Sequence, residues 1–267
     1  MERRSRIVAT LLIAFALGAP FAPSALAASP ASPDRSVSST AQAAAKPFRL
    51  DLADGNDFVA QKTFVQCVGA SMQTMLNIAG ANDRSARTQA RLQSIARSLS
   101  GPTRQGFQRN GASVLGWTSA LNRLDAGAYR MVGTDTLPEA LRLAARSIRE
   151  TGRPVGLLVW AGRHAWVMSG FEATADPRRS DAFRVTRAIV LDPLYPYGSS
   201  RWGPSPKPRE AISIATLGRQ FVPRRRGVWA GAATGSAGPS MAALAGKYVI
   251  VMPYTPIVVA RTIPIAS

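Results

Sequence analysis

The hydrophobic pattern of this chain changes its period near Gly152, and this change constrains the fold more than any other feature. Before Gly152, apolar residues recur at helical spacing in segments that begin near Cys67, Thr88, Ala112 and Thr136. After it, the apolar residues form runs of strand length: Pro154–Trp160, His164–Phe171, Phe183–Leu191 and Lys247–Met252. Helices followed by strands predict an α+β fold, in which an N-terminal helical layer packs on an antiparallel sheet.

Local signals give some of these elements their ends. We expect Asn110 to cap the third helix, predicted over about Ala112–Leu124. The fourth helix is predicted to open at the capping box Thr136-Leu-Pro-Glu139 and to stop at Gly152. The first two strand runs flank the short segment Ala161-Gly-Arg163, so they are predicted to form a β-hairpin.

The N-terminus has the parts of a secretory signal peptide. Arg3, Arg4 and Arg6 precede the apolar run Ile7–Ala19, and the small-x-small pattern ending at Ala27 follows. We predict cleavage after Ala27 and a secreted or cell-envelope protein. The predicted domain boundaries are a signal peptide over 1–27, a flexible linker over 28–47 and one domain over 48–260 with a long loop excursion over 195–240.

The chain is strongly basic, with a formal net charge of +18 that falls to about +16 without the first 27 residues. Such a charge predicts attraction to anionic cell-wall polymers or membrane surfaces. The alternative is compositional, because an Arg- and Ala-rich chain is typical of a GC-rich genome. No Lys/Arg cluster alternates with aromatic residues at a nucleic-acid motif spacing, so specific nucleic-acid binding is not predicted.

Cys67 is the only cysteine among the 267 residues, so the chain forms no internal disulfide. It lies where a helical segment begins, with Met72, Met75 and Leu76 on one face. The positive end of a helix dipole favours an anion, so a thiol there tends toward the nucleophilic thiolate. Gln61, six residues upstream, could donate an amide N–H to an oxyanion. The alternative is a buried structural cysteine, since free cysteine behaves as a small hydrophobe.

His164 is the only histidine and begins a predicted strand, and Asp192 ends the next predicted strand. Neighbouring antiparallel strands can bring these two residues side by side, with Asp192 orienting the imidazole. This arrangement of base and orienting group activates a thiol nucleophile. Taken singly, each residue also has a structural explanation, because Asp-Pro after a strand is an ordinary turn signal.

Four motifs together resemble the C39-like branch of the papain-like cysteine peptidases. They are Gln61-x5-Cys67 at a helix start, Gly152-x-Pro154 before an apolar strand, His164-Ala-Trp-Val-Met-Ser-Gly, and Val190-Leu-Asp192-Pro193. The resemblance covers roughly Asp57 to Leu194. It implies a papain-like fold with Cys67 as nucleophile, His164 as general base and later acid, Asp192 as orienting group and Gln61 as oxyanion donor.

The chain departs from this branch at Val68-Gly69, where members usually have Gly-Pro, and its gaps between the motifs are longer. The expected function is an exported thiol hydrolase that cleaves amide bonds in peptide or protein substrates, as a monomer. Two alternatives stay open: a peptidoglycan amidase or endopeptidase, and a non-catalytic binding module on the same fold. One cysteine and one histidine are too few for a structural zinc site, so no cofactor or metal is expected.

Overall fold

The computed structural model describes residues 46–103, 110–227, 229–231 and 238–256. The predicted signal peptide lies outside these residues, as do all but the last two positions of the predicted linker. Residues 228 and 232–237 of the predicted excursion also lie outside them, and so do residues 257–260 of the predicted domain.

The described residues contain five α-helices. These are α1 (Cys67–Ile78), α2 (Ala86–Ser98), α3 (Val114–Arg123), α4 (Leu137–Thr151) and α5 (Ile214–Gln220). None of the helices within the described ranges is long and apolar enough to cross a bilayer.

The predicted start and stop of α4 at Thr136 and Gly152 are confirmed, whereas the cap of α3 is corrected. The Thr136 hydroxyl accepts from the Glu139 N–H, and Gly152 ends α4 in the left-handed conformation that glycine adopts without strain. At α3 the cap is Ser113 and not Asn110, because the Ser113 hydroxyl accepts from the Gly116 N–H at 3.0 Å. The helix therefore begins two residues later than predicted.

The strands are β1 (Phe48–Asp51), β2 (Tyr129–Thr134), β3 (Val155–Val159), β4 (His164–Ala173), β5 (Val185–Leu191), β6 (Gly198–Ser199), β7 (Gly203–Pro204), β8 (Glu210–Ser213) and β9 (Tyr248–Pro253). Seven of them form one sheet in the order β2-β9-β3-β4-β5-β8, with β1 paired to β4. All of its pairings are antiparallel. The predicted hairpin of β3 and β4 is confirmed, with Val159 opposite His164.

The α+β class is confirmed, but helices cover both faces of the sheet and not one. Helices α1, α2 and α3 share a core with residues such as Ala165 and Val167 of β4. Helix α4 forms the second core with Trp166 and Met168, which alternate with them along the strand. Because β3 is buried at every position, each of its faces needs a cover.

The predicted excursion over 195–240 is wrong for its described first part. Strand β8 pairs with β5 and so extends the sheet, and α5 buries Leu217 fully. The sequence signal was weak because β8 has a single buried residue, Ile212, and α5 is shorter than the window that periodicity needs. Strand β2 was also not predicted, although its alternation buries Tyr129 and Met131.

Candidate active site

Cys67 is the first residue of α1, as predicted, and its side chain is half-buried. Helix α1 is fixed against the start of β4 by the Ser71 hydroxyl, which donates to the Ala165 carbonyl at 3.2 Å. In the first turn the Gly69 N–H donates to Gln93 Oε1 and the Ala70 N–H to the Gln66 carbonyl. Among the described residues no acceptor takes the Cys67 N–H. This N–H is therefore free to bind an oxygen atom beside the sulfur.

His164 is the first residue of β4 and is 4% exposed. The turn before it is tight, because Trp160 and Ala161 both adopt positive φ angles of 55° and 56°. The Trp160 ring stacks on the His164 ring with 4.2 Å between the ring centroids. Trp160 is itself held by Gln220, whose Oε1 accepts from the indole Nε1 at 2.9 Å. The stacked indole limits the orientation of the imidazole.

Asp192 follows β5 and is fully buried. The pairing of Val167 with Leu191 aligns the two strands so that the carboxylate reaches the His164 ring. Its Oδ1 lies 2.6 Å from His164 Nε2 and also accepts from the Leu194 N–H at 2.9 Å. Within the described residues Oδ2 has no hydrogen-bond partner. The imidazole is therefore the main group that balances this buried negative charge.

The environment of His164 favours its charged form. Burial by itself would lower the pKa of the ring, but hydrogen bonds with Asp192 and Cys67, together with the charges of both groups, outweigh it and raise the pKa of His164 from 6.5 to about 9. Because Nε2 is engaged by Asp192, Nδ1 is the nitrogen left for the sulfur. The structure thus brings Cys67, His164 and Asp192 together. The imidazole interacts with both the thiol and the carboxylate, as base-assisted thiol chemistry requires.

Gln61 lies beside the turn after Asp192, and no hydrogen bond joins its side chain to Cys67 among the described residues. Its backbone N–H donates to the Pro193 carbonyl at 2.7 Å, which ties it to the turn after Asp192. Its Nε2 donates to the Thr63 carbonyl at 2.9 Å, and Oε1 is buried without a partner among the described residues. One of the two amide hydrogens on Nε2 is therefore used within the loop, and the other stays available.

Two glutamines of α2, which the sequence analysis missed, hold the segment before Cys67. Gln89 accepts from the Lys62 N–H and donates to the Ala60 carbonyl. Gln93 accepts from the Gly69 N–H and donates to the Val65 carbonyl. The signal that could have revealed them is their spacing of four on the otherwise apolar face of α2.

Helix α1 can approach α2 this closely because residue 69 is glycine. A Cβ atom at Gly69 would lie 2.8 Å from the Gln89 carbonyl oxygen and 2.9 Å from the Gln93 Cβ. Glycine at position 69 therefore serves the packing of α1 on α2.

A cleft with a volume of about 930 Å³ opens at Cys67. One part of its lining is apolar and includes Phe64 and Val65, which precede the cysteine. Another part is basic and consists of Arg163 and the run Arg224–Arg226. The cleft gives the half-buried sulfur access to solvent and to a ligand of peptide size.

No cluster of histidine, cysteine, aspartate or glutamate within the described part of the chain could hold a metal ion. No family model matches the chain, and the curated proteins contain no significant match to it.

Proposed function

We propose that this protein is an exported cysteine peptidase of the papain-like, C39-like type. The observation that carries the proposal is the arrangement of three side chains: Asp192 Oδ1 lies 2.6 Å from His164 Nε2, and Cys67, at the start of α1, interacts with the same buried ring. Purely structural roles for these residues would not require the thiol to line a cleft of about 930 Å³.

The chemistry follows from the positions of the three side chains. The Cys67 thiolate attacks the carbonyl carbon of an amide, and the C–O π electrons move onto oxygen to give a tetrahedral oxyanion. When that intermediate collapses, the C–N bond breaks, and His164 gives its proton to the leaving amine. The acyl group remains on sulfur as a thioester. His164 then removes a proton from water, and the resulting hydroxide equivalent releases the acid and the thiolate.

We assign two donors to the oxyanion. The Cys67 N–H has no acceptor among the described residues, and the second amide hydrogen of Gln61 is available in the loop that leads to the cysteine. Removing one such donor typically costs about 100-fold in rate or more. Asp192 stabilises the imidazolium through Nε2 and keeps Nδ1 directed to sulfur.

The papain-like fold is part of the same proposal. Its support is a nucleophile at the start of a helix that packs on an antiparallel sheet, with the base and the orienting group on neighbouring strands of that sheet. The chain order is Cys67, His164 and then Asp192, as in the C39-like branch.

A peptidoglycan amidase or endopeptidase is the second candidate. It uses the same thiol chemistry on the stem peptides of the wall, and the net charge of +18 favours binding to an anionic wall. The four arginines of the cleft place part of that charge at the site itself.

The test is a comparison of the wild-type protein with Cys67→Ala on two substrates, unfolded casein and purified peptidoglycan. New peptide termini and released muropeptides are identified by mass spectrometry. We expect cleavage by the wild type alone and equal thermal melts of the two proteins. Equal cleavage by both proteins would overturn the nucleophile assignment. No cleavage of either substrate by the wild type would favour the binding-module alternative.

A further inference from the structure

The basic part of the cleft is built from two segments that are far apart in sequence. The Trp160–Arg163 turn carries Arg163 immediately before His164, and the segment after α5 carries Arg224, Arg225 and Arg226. The Arg225 N–H donates to the Ala161 carbonyl at 3.1 Å, and the Trp160 N–H donates to the Gln220 carbonyl at 2.8 Å. These bonds fix the arginine run beside the turn that positions the catalytic base.

Arg224 is the buried member of the group, with 4% of its surface exposed. Its Nη1 donates to the Met241 carbonyl at 2.9 Å, and its backbone bonds to Gly246 and Lys247 on the segment before β9. Burial lowers the pKa of Arg224, so an anion placed beside the guanidinium would offset the cost of burying this charge.

None of these four arginines forms an ion pair with a carboxylate of the described residues, although seven other ion pairs are present there. The described residues that line the cleft include no aspartate or glutamate. Four uncompensated cations therefore face one cleft, whose low-dielectric walls strengthen their field.

A separate part of the cleft lining supplies an apolar contact. Phe64 is 87% exposed and Val65 is 43% exposed, and both lie just before Cys67. Burying an exposed apolar side chain when a ligand binds is favourable, so Phe64 and Val65 are suited to contact a substrate beside the nucleophile.

We propose that Arg163 and Arg224–Arg226 form a carboxylate-binding subsite, so that the substrate is a peptide with a negative charge near the bond that is cut. The subsite rests on the proposed function, because it assigns a specificity to that reaction. The carboxylate has two possible sources, an acidic side chain or a free C-terminus. Both would form charge-assisted, bidentate hydrogen bonds with the guanidinium groups.

The first test needs no known substrate and uses two small electrophiles. Iodoacetate and iodoacetamide both react with a thiolate at their CH2 group, forming a thioether and releasing iodide, but only iodoacetate carries a carboxylate. The ratio of their rates at Cys67, divided by the ratio measured with glutathione, reports the preference of the cleft for an anion.

The variant is Arg225→Gln/Arg226→Gln, and the matched control is Arg87→Gln/Arg91→Gln, which changes two exposed arginines that do not line the cleft. We expect the rate ratio to fall roughly fivefold in the cleft variant, because exposed ion pairs are weakened by solvent screening, and to stay unchanged in the control. Equal ratios in both variants would overturn the subsite. A wild-type thiol that reacts no faster than glutathione with iodoacetamide would instead contradict the proposed function.

The second test separates the two sources of the carboxylate. Peptides are built around the strongest cleavage found in casein, with glutamate replaced by glutamine, or with the C-terminal carboxylate replaced by an amide. A roughly tenfold loss of kcat/KM with the glutamine peptide, absent in the cleft variant, assigns an acidic side chain. The same loss on amidation assigns the free C-terminus. Equal kcat/KM values for all peptides would overturn the proposal.

Discussion

The two faces of the sheet are covered by helices of different character. Helix α4 buries Ala140, Leu141, Ala144, Ala145 and Ile148, and Ser147 is its only buried polar residue. The helices on the other face bury many polar side chains together with their apolar ones. These are Ser71, Gln73, Thr74, Asn77, Gln89, Gln93 and Thr118.

The difference has a physical cause, because four of those polar residues bind the backbone that leads to Cys67. Thr74 accepts from the Val59 N–H, and Asn77 donates to the Asp57 carbonyl. Gln89 and Gln93 bind the next parts of the same segment. A buried polar group is costly unless it is bonded, so this face contributes less net stability per residue and gives a fixed position to the nucleophile. Helix α4 contributes stability through an almost wholly apolar buried face.

The largest effect on activity is expected from a substitution of the proposed base. His164→Ala should lower kcat/KM about 1,000-fold or more, because His164 is the only histidine in the sequence. The measurement is a peptide-cleavage assay below the melting temperature of both proteins, with near-ultraviolet circular dichroism as the control for folding. A loss below tenfold would remove His164 from the mechanism.

On the other face, Ile148→Ala should act on stability alone. Ile148 is fully buried in the core of α4, so the truncation should lower the free energy of unfolding by about 2–5 kcal/mol. Urea unfolding gives this value. Cleavage activity of the folded variant should stay within about twofold of wild type. A large loss of activity at low temperature would mean that the two faces are not independent.

Gln93→Leu should change both properties by smaller amounts. It leaves the Gly69 N–H and the Val65 carbonyl without their partner, at a cost of about 1–3 kcal/mol in the free energy of unfolding. Because both groups flank Cys67, the alkylation rate of the thiol should fall as well. Gln73→Leu is the matched control, since Gln73 donates to the Ser85 carbonyl, away from that segment. Equal alkylation rates in the two variants would contradict the positioning role of Gln93.

The smallest effect expected is on the pH profile. The pKa of His164 is raised to about 9, so kcat/KM should fall as the pH rises through about 9 and the imidazolium loses its proton. Since the raised value exceeds the ordinary 6.5, His164 also contributes stability that is complete below pH 6.5 and is lost as the pH rises to about 9.

Asp192→Asn should shift the alkaline limb of the kcat/KM profile. Without the carboxylate charge, the alkaline limb should move to lower pH by about one unit, whereas Ile148→Ala should leave it in place. Profiles of kcat/KM for the three proteins check both points. An unchanged limb in Asp192→Asn would mean that the carboxylate does not set the charge of His164.

Strong local signals explain what could be predicted from the sequence. The hydroxyl cap at Thr136 and the long apolar runs of β3 and β4 act over short distances and were confirmed. The placement of Cys67 at a helix start and of His164 at a strand start followed from the same patterns. The pairing of Val167 with Leu191 then brings His164 and Asp192 together, as the strand order implied.

What could not be predicted depends on contacts between distant segments. The second helical layer, the pairing of β8 with β5 and the central place of β9 follow from tertiary packing, which short elements do not reveal. The roles of Gln93 and Trp160 depend on partners at positions 65, 69, 164 and 220. The spacing of Gln89 and Gln93 on the apolar face of α2 marks Gln93 as unusual, but it does not reveal which backbone groups the side chain binds.

The central claim is that His164 activates the Cys67 thiol, and the alkylation rate at pH 6 tests it most directly. Wild type and His164→Ala are treated with iodoacetamide, and the modified fraction is followed by intact mass. The imidazolium stabilises the thiolate, so wild type should react at least about tenfold faster than the variant. Equal rates in the two proteins, or no labelling of the folded wild type, would contradict the claim.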